Sequence, residues 1–204
     1  MSINFKSTFE FSDYIDKDNI CIFPEAAHSN RLPSERFYLY IPYDQRLKGP
    51  VATVIMYNPS KAGFRNAEGK VLSDFTIYNV LQYLYHHKDK FKGVRVLNLF
   101  SSYSSNPAEV SEVTSNLISN KKVLKEMLCK NDTSKGDKII LGWGDTPKKA
   151  TDRVKYLYRE QISYIESIIG NQPVYHVVDP YRKSLSPQHG SRWTDYEKLK
   201  PFNF

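Results

Sequence analysis

Val51-Ala52-Thr53-Val54-Ile55-Met56-Tyr57, followed at once by Asn58-Pro59-Ser60, is the stretch that decides the fold. Its first seven residues form an apolar run without alternation. Such a run suits a strand buried on both faces, and strands of that kind belong to parallel sheets covered by helices. Pro59 biases Asn58 toward extended geometry, so the strand ends there with the asparagine projecting from its tip. The same signal recurs downstream at Val94–Phe100, Lys138–Gly142 and Val174–Val178. Helical patterns lie between these runs. Residues 74–87 carry the stripe Ile77, Val80, Leu81 and Leu84 behind Ser73 as N-cap, and residues 116–129 carry Leu117, Val123, Leu124, Met127 and Leu128. A third helix is bounded by Thr146-Pro147 at its start and Gly170 at its end. The alternation predicts an α/β fold: three α/β/α layers with a mainly parallel central sheet of about four parallel strands.

Upstream, Asn19–Phe23 and Arg36–Ile41 are short apolar stretches separated by Pro24, Pro33 and Pro42, and they read as antiparallel edge strands. The expected organisation is one domain, with residues 1–48 as an N-terminal β extension, 49–193 as the α/β core and 194–204 as a tail.

The 204 residues are 40% hydrophobic and 25% charged, which excludes a disordered chain. No apolar run approaches the ~20 residues of a spanning helix, and Met1–Lys6 lacks the apolar core of a signal peptide. A cytoplasmic protein with no membrane partner is the expectation. Cys21 and Cys129 belong to no metal-spacing or redox motif, and His86-His87 do not make a metal pair, so neither a metal nor a cofactor is expected. Lys and Arg outnumber Asp and Glu by 29 to 22, and aromatics reach 14%. Excess positive charge with interleaved rings favours a nucleic-acid or nucleotide partner. Phe64, Phe100, Tyr103, Trp143 and Trp193 are the candidate stacking rings.

In open α/β sheets ligands bind at the carboxyl ends of the strands, which selects four loops. After the first strand, Asn58 and Ser60 precede a Gly63–Lys70 stretch that fails the phosphate-loop pattern in spacing and in its Lys70-Val71 ending. That stretch reads as a mobile loop over a substrate, with Asp74 and Thr76 beneath it. After the second, Asn98 is a buried amide that needs a partner, and Phe100 follows it. After the third, Trp143 and Gly144 lead into a helix N-terminus suited to an anion. After the fourth, His189 is the candidate charge-stabilising group and Arg192 a candidate substrate contact. Each has a plain structural alternative: a turn, a clip, a cap or a sheet-end cover.

The motifs N-P-S-x-A at Asn58–Ala62, D-x-T at Asp74–Thr76, N-L-F at Asn98–Phe100, Asn106-Pro107, W-G at Trp143-Gly144 and P-x-H at Pro187–His189 occur in that order. In order and spacing they resemble a family of bacterial and phage domains of unknown function, over residues 36 to 193; Gly190 stands where that family usually has proline. More distantly the layout resembles the uracil-DNA glycosylase superfamily. That resemblance implies a glycosylase-like fold and hydrolysis of an N-glycosidic bond in DNA, with Asn58 orienting the attacking water and His189 stabilising the departing base. A non-catalytic nucleotide- or nucleic-acid-binding module, or a hydrolase of a small phosphorylated metabolite, fits the same residues.

Overall fold

The computed structural model describes residues 8–24, 35–66, 68–103, 114–179, 181, 184, 186–194 and 197–204. Asn106-Pro107 and the basic pair Arg182-Lys183 lie outside the described residues. In chain order the elements are β1 (Thr8–Glu10), β2 (Cys21–Phe23), β3 (Tyr38–Pro42), β4 (Val51–Met56), β5 (Leu72–Asp74), α1 (Phe75–His86), β6 (Gly93–Asn98), α2 (Thr114–Cys129), β7 (Lys138–Leu141), α3 (Asp152–Ile169), β8 (Val174–Val178) and β9 (Lys198–Phe202). Seven strands form one sheet in the order β2-β3-β6-β4-β7-β8-β9, while β1 pairs separately with β5.

Among the described residues the fold is mixed α/β with a mixed sheet and three α-helices. Strands β6, β4, β7 and β8 run parallel to one another. The pairings of β2 with β3 and β3 with β6 are antiparallel, as expected of the N-terminal edge strands, and so is that of β8 with β9, which makes the sheet mixed rather than mainly parallel. Residues 194–204, read as a tail, contain β9. Its Lys198-Leu199-Lys200-Pro201-Phe202 carries the charges and the proline of an edge strand, and so does not register as a buried one.

The uninterrupted apolar run of β4 has a direct cause. Ala52, Val54 and Met56 join one core cluster with Ile77, Val80 and Leu84 of α1, whereas Ile55 and Tyr57 join another with Leu124 and Leu128 of α2 and Tyr158, Ile165 and Ile169 of α3. Both faces of the strand are therefore covered. Each such side chain is worth roughly 1.5–3 kcal/mol when buried, so a one-residue slip of β4, which would exchange the two faces, is strongly opposed. Phe11, Ile15, Ile20, Leu39 and Ile41 of the N-terminal stretch sit in the first cluster as well.

Two helix starts differ from expectation. Ser73 belongs to β5, opposite Phe9, and Asp74 caps α1 by accepting the Ile77 amide at 3.0 Å. Helix α3 begins at Asp152 behind Thr151, whose hydroxyl accepts the Val154 amide, not behind Thr146. Pro147 instead opens a turn closed by Ala150 N–H donating to Pro147 O at 3.0 Å. The C-terminal limit at Gly170 agrees with the sequence. No helix among the described residues is long and apolar enough to cross a membrane.

Candidate functional site

Strand β4 lies between β6 and β7, and the connections leaving β4 and β7 diverge. The first leads to α1 and one core cluster; the second leads to α3 and the other. A crevice at the carboxyl ends of these two strands is the geometric consequence. A groove of about 360 Å³ occupies it. Tyr57 and Asn58 line it from the end of β4, Trp143, Gly144, Asp145, Thr146, Pro147 and Lys148 from the loop after β7, and His189, Ser191 and Arg192 from the segment after β8.

The loop bearing Asn58 is held by buried polar contacts. Asp74 Oδ2 accepts the Ala62 amide at 2.8 Å, and Arg36, only 1% exposed, donates from Nη1 to Ala62 O at 2.5 Å. The Asn58 side chain itself donates to Pro59 O at 3.3 Å. The expected mobile loop after Ala62 is a hydrogen-bonded hairpin: Gly63 N–H donates to Leu72 O, and Leu72 N–H to Phe64 O. It does not line the groove.

The segment bearing His189 is pressed onto β7 and α1. Gly190 N–H donates to Gly142 O at 3.4 Å, and Asn79 of α1 donates to Ser191 O at 2.8 Å. A Cβ on Gly190 would lie 2.6 Å from Val80 Cγ2 and 3.1 Å from Met56 Cε, so this contact requires glycine. Gly144, at φ +78, brings its backbone to His189, with Tyr158 Oη donating to Gly144 O at 2.8 Å. His189 Nδ1 accepts the Ser191 amide at 3.3 Å and lies 2.8 Å from Ser191 Oγ. With Nδ1 accepting, the hydrogen of a neutral imidazole sits on Nε2.

Of the residues singled out in the sequence, Asn58, Trp143, Gly144, His189 and Arg192 meet at this groove. The other five do not line it. Both carboxylate oxygens of Asp74 accept backbone amides, which makes it a clip and a helix cap. Ser60 sits in the clipped loop, its hydroxyl buried and unpartnered among the described residues. Thr76 faces Gly190. Phe100 is 2% exposed and packs against Tyr57. Asn98 is fully buried, and neither atom of its amide has a hydrogen-bond partner among the described residues; its main-chain carbonyl accepts from Asn120 at 3.0 Å.

Trp143 is also 2% exposed, so it floors the sheet end rather than offering an open ring. The helix N-terminus expected at Thr146 lies further on, already capped by Thr151.

Asp145, Lys148, Ser191 and the clamp residue Gln188 were not legible as site residues. Gln188, 3% exposed, donates to Arg192 O and to Glu197 Oε1, both at 2.8 Å. Asp145 accepts from Ser184 Oγ at 2.5 Å. The groove thus carries one carboxylate against Lys148, Arg192 and the imidazole. Near Arg36, burial pushes the Glu35 carboxyl upward, opposed by the Ser101 hydroxyl, and burial raises the Tyr103 phenol, opposed by Arg36 itself. Among the described residues no group of three or more His, Cys, Asp or Glu is placed to hold a metal ion.

The model of a protein family of unknown function, DUF1643, matches residues 36–173, more than half of the chain. The match opens at Arg36, which braces the Asn58 loop, and closes before the His189 segment. No curated protein and no solved structure matches the chain.

Proposed function

This chain belongs to the DUF1643 family, and we propose that it binds a nucleotide unit in the groove at the ends of β4 and β7 and hydrolyses its N-glycosidic bond. The observation that carries the reading is the meeting of Asn58, His189, Lys148 and Arg192 in one crevice of about 360 Å³. That volume lies in the range of small-ligand sites and suits a single nucleotide. Lys148 and Arg192 attract the phosphate.

In the reaction, Asn58 holds a water against C1′ of the sugar, and Asp145 takes a proton from it as the new C–O bond forms. The C1′–N bond breaks, and its electron pair goes to the base. The hydrogen on His189 Nε2 offsets the charge on the departing base and can be passed to it. For a base embedded in duplex DNA, access requires flipping. This layout accords with the resemblance to the uracil-DNA glycosylase superfamily, which rests on motif order rather than on a matched structure.

A second reading, binding without hydrolysis, draws on one observation. The Asn58 amide donates to Pro59 O at 3.3 Å, so part of its donor capacity is spent within its own loop. Incubation with oligonucleotides bearing uracil and modified bases, wild type against Asn58→Ala, separates the two. Base release lost in the variant supports hydrolysis. Nucleotide binding without release in either protein supports the module, and absence of binding refutes both.

A further inference from the structure

Three aromatic rings stand in solvent on β1 and α1, elements that the proposed chemistry does not use. Phe75, the first residue of α1, is 62% exposed, Tyr78 37% and Phe9 of β1 39%. They form one ridge. Phe9 and Tyr78 meet edge to face with centroids 5.7 Å apart, and Phe75 and Tyr78 share a helix face at i,i+3 spacing. Helix α1 links the ridge to the groove. Asn79, one turn after Phe75, holds Ser191 O at 2.8 Å, and Ser191 is part of the groove lining. Exposed rings grouped in this way mark an interaction surface.

Charge indicates the occupant. The chain carries a formal +7, and the groove contributes exposed Lys148 and Arg192. Glu10, the carboxylate next to Phe9, is paired with Lys70 at 2.6 Å, which reduces its repulsion of an anion. Rings that accept bases, adjoining cations that accept phosphates, are the combination that binds unpaired strands; in a duplex the base faces are already stacked and unavailable. Of the rings named from sequence as stacking candidates, Phe64, Phe100, Trp143 and Trp193 are buried and Tyr103 is half-buried.

We infer that groove and ridge form one continuous surface for single-stranded nucleic acid, with one nucleotide seated in the groove and the adjoining bases stacked on Phe75 and Tyr78. The inference rests on the nucleotide reading of the groove and narrows its substrate from a nucleotide to a polynucleotide strand.

The test uses the full chain and its Phe75→Ala/Tyr78→Ala double variant, both substitutions at exposed positions. Fluorescence anisotropy measures binding of homopolymeric DNA oligomers about ten nucleotides long, a length within the usual site size. Titration of the matching nucleoside monophosphates reports on the groove alone. The expected result is at least a tenfold weaker oligomer affinity in the variant, with monophosphate binding and the melting curve unchanged. Equal oligomer affinity in both proteins overturns the inference, as does loss of monophosphate binding together with oligomer binding. A dimer-to-monomer shift in sedimentation with oligomer binding intact assigns the ridge to a second copy instead. Wild type that binds monophosphates but no oligomer refutes the ridge and spares the groove; wild type that binds neither refutes both.

Discussion

Asp74 accepts the amide of Ala62 at 2.8 Å, and this contact ties the loop carrying Asn58 to the first turn of α1. The same carboxylate caps the helix through Ile77, so one side chain serves the N-P-S-x-A and the D-x-T motifs together. Replacing it removes a cap worth about 1 kcal/mol and strands a buried amide at a further ~1–3 kcal/mol. Asp74→Ala should therefore lower the unfolding free energy by about 2–4 kcal/mol in urea denaturation. A loss below ~0.5 kcal/mol would mean that the loop is braced by Arg36 alone.

Gly190→Ala should destabilise by about 1–3 kcal/mol, because the new methyl meets Val80 and Met56 in a packed core. Relief by lifting the 187–193 segment carries His189 out of the groove. The variant should thus lose nucleotide affinity as well as melting temperature. A melting curve equal to wild type would contradict the close approach.

Asn98 separates stability from function. Asn98 is fully buried and its amide has no partner among the described residues; such an amide costs about 1–3 kcal/mol, and an apolar replacement does not incur that cost. Asn98→Leu should leave the chain as stable or up to ~2 kcal/mol more stable by chemical denaturation. A marked loss of stability would show that the amide is satisfied in solution, as by an enclosed water.

His87 sets a pH dependence. Burial holds its imidazole below the ordinary 6.5, with Lys138 and Lys88 acting in the same sense and Asp89 opposing. Asp89 Oδ2 lies 3.3 Å from Nδ1, but Nδ1 accepts the Asp89 amide, so the neutral ring is the folded form and the contact is not an ion pair. As pH falls through 6.5 the unfolded chain takes up this proton before the folded chain does. Stability contributed by the neutral ring is therefore present above 6.5 and declines below it. His87→Gln, which can still accept that amide, should flatten the stability profile across this window in denaturation at stepped pH. An unchanged slope would assign the dependence elsewhere.

Much of the core was legible because its signal is local. An unbroken run such as Val51–Met56 reports burial on both faces, and the Ile77–Leu84 stripe reports one helix face. The caps were less so. Ser73 and Asp74 are both good capping residues, and only the pairing of Phe9 with Ser73 decides between them. Thr146-Pro147 has the form of a helix start, yet the turn at Ala150 delays the helix to Asp152. In β9, alternating lysines and a proline describe an edge strand as well as a solvated tail.

By itself the sequence determined the alternation of the four parallel strands with the three helices, though not β1, β5 or β9, because hydrophobic period and breaker residues act over a few neighbours. Tertiary structure alone decided which motif residues meet. Asp74 and Asn98 read like site residues but are turned into the scaffold, whereas Asp145 and Ser191 line the groove. The reason is physical: whether a polar side chain serves a cap or a cavity depends on which amide lies opposite it. In this fold that partner is supplied by elements such as α1 and the 187–193 segment, which lie more than a hundred residues apart, as Asn79 and Ser191 do.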